Sequence, residues 1–128
     1  MQDLLNNNEN ENKLLDVIST KNKPAVVEVR AKWSGDSHIM DLIINKIEEE
    51  FLKQIKVIRI DFEINKELLS QFGVESAPAV LLICKGQVVE VIKETLSRKN
   101  LKKLVRDLII RNSTSIEERN PVITGKTK

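Results

Sequence analysis

Three short β-like runs, each set between stretches with helical periodicity, constrain this chain more than any other feature. Ala25 to Ala31 is built around three valines, Gln54 to Phe62 centres on Ile-Lys-Val-Ile-Arg-Ile-Asp-Phe, and Ala79 to Cys84 is continuously apolar. Runs of this length rich in Val and Ile read as strands. Between the first two lies a long helical pattern. Ile39, Leu42, Ile43, Ile47 and Phe51 recur at intervals of three or four, with Asp41, Asn45, Glu48 and Glu49 assigned to the opposite, solvent face. Asn65 is a candidate N-cap for a short helix from Lys66 to Gln71, closed by Gly73.

Lys85-Gly86 predicts a tight hairpin into a fourth strand, Gln87 to Ile92. Ser97 then caps a last amphipathic helix in which Leu101, Leu104, Val105, Leu108 and Ile109 face inward. A first short helix, capped by Asn10 or Asn12 and running to Ser19, precedes the strands. The order is α-β-α-β-α-β-β-α. Strands separated by helices should be parallel and the final hairpin antiparallel. The expectation is an α/β fold with a central mixed sheet of about four strands flanked by helices. Residues 1–9 form a flexible lead-in, 10–111 the folded domain and 112–128 a disordered polar tail.

Composition sets bounds on function. A net charge of +2 over 128 residues, without a basic block, argues against nucleic-acid binding. No apolar run approaches the ~20 residues of a membrane span, and the first residues carry no export-signal pattern, so a cytoplasmic, membrane-free protein is expected. A single cysteine, Cys84, excludes an intrachain disulfide. One histidine, His38, and one distant cysteine make a metal site a poor prospect. No cofactor is expected.

The junction between the first strand and the long helix reads Trp33-Ser34-Gly35-Asp36-Ser37. Cysteines at positions 34 and 37 would make it a C-x-x-C redox motif at a helix start. Together with Ala31-Lys32-Trp33, Phe72-Gly73-Val74, Ser76-Ala77-Pro78 and Lys85-Gly86-Gln87, the segment resembles the thioredoxin family over roughly residues 10–111. The resemblance implies a thioredoxin-like fold, with Pro78 as a cis-proline beside the active-site positions. It also implies that the backbone of Ser76-Ala77 docks an extended peptide by strand-like pairing.

The departures from the family pattern matter as much. Ser34 matches the nucleophilic cysteine and Ser37 the resolving one. A serine hydroxyl stays protonated at neutral pH and forms no S–S bond, so thiol–disulfide exchange is chemically closed. Ser34 has a sufficient local use as an N-cap accepting from the Ser37 amide, with Asp36 favoured in the first turn by the helix dipole.

Glu28 matches the family's buried acid and Arg59 its lysine partner, which predicts a Glu28–Arg59 pair beneath the Trp33 loop. Glu94 stands where a glycine usually admits a partner's backbone, and Leu42 replaces a helix-kinking proline, so the helix should run straighter. Cys84 lies six residues from Pro78, roughly 20 Å along a strand, too far to replace the missing thiols.

These residues give two readings. The first is a non-redox peptide- or protein-binding module, expected to be monomeric. Its contact surface comprises Trp33, Gly35, Asp36, Ser76, Ala77, Pro78 and Glu94. The second is a thioredoxin-type protein-disulfide oxidoreductase whose two cysteines have been exchanged for serine; the changes at 28, 42 and 94 speak against so simple a replacement. A serine hydrolase built on Ser34 or Ser37 with His38 is disfavoured, because adjacent helical residues point about 100° apart and no G-x-S-x-G elbow is present.

Overall fold

The computed structural model describes residues 23–32 and 35–114. The expected first helix, the lead-in, Trp33, Ser34 and most of the polar tail lie outside the described residues. Within them the order is β1 (Ala25–Arg30), α1 (Gly35–Glu50), β2 (Lys56–Asp61), α2 (Lys66–Ser70), β3 (Ala79–Cys84), β4 (Gln87–Ile92) and α3 (Arg98–Ser113). The strands form one mixed sheet in the order β2-β1-β3-β4. β1 and β2 are parallel, joined through α1, and β3 runs antiparallel to both β1 and β4.

Strand alternation divides the interior in two. Val26, Val80, Leu82 and Cys84 face α1 and α3, meeting Met40, Ile44, Ile47, Leu101, Val105 and Leu108. Ala25, Val27, Val29, Ala79, Leu81 and Ile83 face the other way, toward Leu69 of α2 and Val74. β1 and β3 are central and almost wholly buried, whereas β2 is an edge strand in which only Ile60 is fully buried. The strand expected over 54–62 is shorter, Lys56–Asp61, and it is half-open because nothing pairs with its outer edge among the described residues.

Local chemistry decides several boundaries. The hairpin between β3 and β4 turns on Lys85 (φ 53°) and Gly86 (φ 80°). Two consecutive left-handed residues are the geometry that joins twisted antiparallel strands in two residues. Ser97 caps α3, its hydroxyl accepting from the Asn100 amide at 3.1 Å. That helix continues to Ser113, past the point where the polar tail was expected to begin.

Asn65 precedes α2 but makes no side-chain cap; instead its Nδ2 donates to the Asp61 carbonyl at 2.9 Å. The Asp61 carboxylate accepts from the Ile64 amide at 3.1 Å, so Asp61 organises the turn that Asn65 was expected to start.

The phase of α1 also differs from expectation. Its buried stripe is Ser37, Met40, Ile44 and Ile47, while Ile39 and Leu42 are 51% and 67% exposed. The helix is turned so that Asp41, Asn45 and Glu48, placed by sequence on the solvent face, look toward β2. Burial of Met40, Ile44 and Ile47 against the sheet sets this phase, and it brings the polar stripe within reach of Arg59.

Candidate functional site

β1 carries the chain up to Ala31 and Lys32, and α1 begins at Gly35. Gly35 and Asp36 are exposed in the first turn, and the next residue turns inward. Ser37 is 4% exposed, and its hydroxyl accepts from the Ala31 amide at 3.1 Å. That bond ties the helix start to the strand end. A hydroxyl is well suited to the place, since it satisfies a strand-end N–H that would otherwise be left without a partner. The Ser34 cap lies outside the described residues.

Below this junction sits a charged seam. Glu28 is completely buried and stands in register with Arg59 on the parallel neighbour β2. The predicted pair is formed, with Arg59 Nε 3.3 Å from Glu28 Oε1. The same Nε lies 3.6 Å from Asp41 Oδ1. The far end of the guanidinium donates to Glu48 Oε1 at 3.0 Å and Asn45 Oδ1 at 2.6 Å. Arg30 adds a looser contact to Asp41 at 3.8 Å.

Asp41, Asn45 and Glu48 are the residues that sequence reasoning missed. Their spacing of four and three residues, one helical stripe, was the available signal. Burial, reinforced by the negative charge of Asp41, pushes the Glu28 carboxyl up from 4.5 to about 7, against the opposing pull of Arg30 and Arg59.

The seam opens into a cleft of about 370 Å³ between the ends of β1 and β2 and the start of α1, lined by Arg30, Lys32, Ser37, His38, Asp41 and Arg59 among others. His38 is exposed while the Ser37 hydroxyl turns inward, so the two do not form a nucleophile–base pair. Among the described residues no group of three His, Cys, Asp or Glu side chains is arranged to hold a metal ion. No described helix is long and apolar enough to cross a membrane.

The other candidate positions converge on the same end of the sheet. The Ala77–Pro78 peptide bond is cis. Since Val29 pairs with Ala79 across the antiparallel ladder, Pro78 lies level with Arg30, where β1 leaves the sheet. Ser76 is exposed and Ala77 half-buried. β4 ends with Ile92 opposite Val80, which brings exposed Glu94 to that end as well.

Cys84 goes the other way. It pairs with Gln87 beside the hairpin, next to Ile83, whose partner Ala25 is the first residue of β1. It is buried, and its thiol donates to Asn112 Oδ1 at 3.8 Å.

The thioredoxin family model matches residues 5–107 of this chain. The chain belongs to the thioredoxin family. A thioredoxin from Haemophilus influenzae is 27% identical over 93 residues, covering 73% of this chain and 87% of that one. The bifunctional thioredoxin reductase/thioredoxin of Mycobacterium leprae is 33% identical over 93 residues, 73% of this chain but 19% of that one. Among solved structures, a mutant thioredoxin from Halobacterium salinarum superposes with a TM-score of 0.68 at 25% identity, covering 75% of this chain and 82% of that one. The four-stranded mixed sheet with its three described helices is thus a thioredoxin-like fold.

Proposed function

We propose that this thioredoxin-family protein carries out no dithiol–disulfide exchange and serves as a peptide- or protein-binding module. Its contact surface is the end of the sheet marked by Trp33, Gly35, Asp36, Ser76, Ala77, Pro78 and Glu94. The observation that carries the reading is the separation of the chain's only thiol from the start of α1. Cys84 is buried beside the β3–β4 hairpin, and the segment 33–37 supplies hydroxyls where exchange needs thiolates.

A serine at 37 that accepts the Ala31 N–H holds the helix start in place without redox chemistry. The register of β3 against β1 puts the Ser76-Ala77 backbone at the sheet's end, where an extended segment can add main-chain hydrogen bonds. An indole at 33 is a suitable anchor, because Trp is enriched among residues that dominate binding energy. The side chain of Glu94 selects against acidic residues and favours basic ones at the adjoining position of the bound segment.

An array of immobilised extended peptides tests this. Peptides retained by the wild-type chain should be lost by tenfold or more with Trp33→Ala and with Pro78→Ala, while both variants keep the wild-type far-ultraviolet circular dichroism. Retention unchanged by either substitution would remove the surface from consideration.

A further inference from the structure

The outer face of α1 is apolar in its middle, where contact with water ordinarily selects polar residues. Among the described residues four large apolar side chains stand mostly exposed, and Ile39 and Leu42 are two of them. The helix turns Ser37, Met40, Ile44 and Ile47 inward and sends Asp41 and Glu48 to Arg59. Opposite the buried stripe run Gly35, Ile39, Leu42, Lys46 and Glu49, all of them exposed. Their spacing of four, three, four and three residues is that of a seam along which two helices pack.

The ends of the seam say what covers it. Asp36 lies beside Gly35 at one end and Lys46 at the other, and neither has an ion-pair partner among the described residues. A second copy of this chain, laid antiparallel, matches the pattern. Ile39 of each copy meets Leu42 of the other, so the apolar middle covers itself. Lys46 then comes over Gly35 of the second copy, within reach of its Asp36. The space above Gly35 is open, with nothing within 4 Å of where a side chain would start. A parallel pair would instead set Lys46 against Lys46 and Glu49 against Glu49, which is repulsive. The mixed signs of Asp36, Lys46 and Glu49 also make a poor match for a uniformly anionic membrane.

We propose that this chain self-associates through the outer face of α1, as an antiparallel two-fold dimer centred on Ile39 and Leu42. Such a contact uses the same patch on both copies and closes at two. Two exposed apolar residues from each copy fall short of the ~1,200 Å² that stable complexes bury, so the dimer is weak and reversible. It departs from the monomer expected from the sequence. Because Gly35 and Asp36 lie in the seam, dimerisation covers part of the surface proposed for peptide binding and dilution uncovers it. The self-association itself stands whether or not that surface takes a peptide.

Sedimentation velocity from about 10 μM to about 1 mM tests it. The average mass of the wild-type chain should rise with concentration from 14.6 kDa toward twice that value. Leu42→Glu should keep the chain monomeric throughout. Lys46→Glu and Asp36→Lys should each weaken association by roughly tenfold, and the double variant should restore it, because the reversed charges face each other again. All these positions are exposed, and an unchanged far-ultraviolet circular dichroism spectrum shows that the variants fold.

A wild-type chain that is still monomeric at the top of the range overturns the proposal and leaves the face to a different protein. Association that survives Leu42→Glu overturns it as well. A double variant no tighter than the single ones overturns the antiparallel arrangement.

Discussion

The two faces of the sheet are made from the same strands and both bury apolar residues, yet only one of them holds a buried charge. Toward α2, β1 contributes Ala25, Val27 and Val29, which join an apolar cluster with Leu69, Val74, Ala79, Leu81 and Ile83. Toward α1, the same strand contributes Val26 and then Glu28, fully buried and bound to a guanidinium. A buried ion pair is at best a weak source of stability, because desolvation offsets most of the Coulombic gain. The contrast teaches that apolar burial holds the fold on both faces, whereas the α1 face alone admits a charged seam, where α1 begins and where the candidate contact surface lies.

The sharpest attack on that contrast is at Leu81, fully buried on the apolar face. Leu81→Ala should lower the free energy of unfolding by about 3–4 kcal/mol in urea denaturation, with no dependence on pH from 5 to 8. A loss below about 1 kcal/mol would mean that this layer does not carry the stability assigned to it.

Glu28→Gln gives a smaller and different effect. The folded Glu28 carboxyl is raised to about 7 from an ordinary 4.5, so the native state holds a proton that the unfolded chain has lost. Its contribution is complete below about 4.5 and disappears as pH rises through about 7. Wild-type stability should therefore decline across that window with a slope of up to about 1.4 kcal/mol per pH unit from this group. Glu28→Gln, neutral at every pH, should remove that part of the slope. Parallel wild-type and variant curves would show that the seam does not titrate.

The sequence foretold much of this because several of its signals are local. Lys85-Gly86 needs two left-handed residues whatever surrounds them, and Ser97 meets its cap partner three residues away. The pairing of Glu28 with Arg59 was reachable because the family pattern sets both positions.

The phase of α1 was not. Apolar residues at 39, 40, 42, 43, 44 and 47 leave more than one stripe able to face inward. The choice is made by tertiary packing, which buries Met40, Ile44 and Ile47, and the same rotation brings Asp41, Asn45 and Glu48 to Arg59, eleven to eighteen residues further along the chain. Asn65 fooled the reading for a related reason. Asp61, at the end of β2, satisfies that turn first. The Trp33-Ser34 portion of the candidate site, by contrast, is known from residues alone.

The central claim is that this thioredoxin-family chain works without a dithiol, and the reduction of insulin disulfides by dithiothreitol tests it most directly. The wild-type chain should leave the rate at the uncatalysed background, and Cys84→Ser should behave identically. Reduction above background that vanishes with Cys84→Ser would contradict the account, since it would place working thiol chemistry on the one cysteine assigned here to the core.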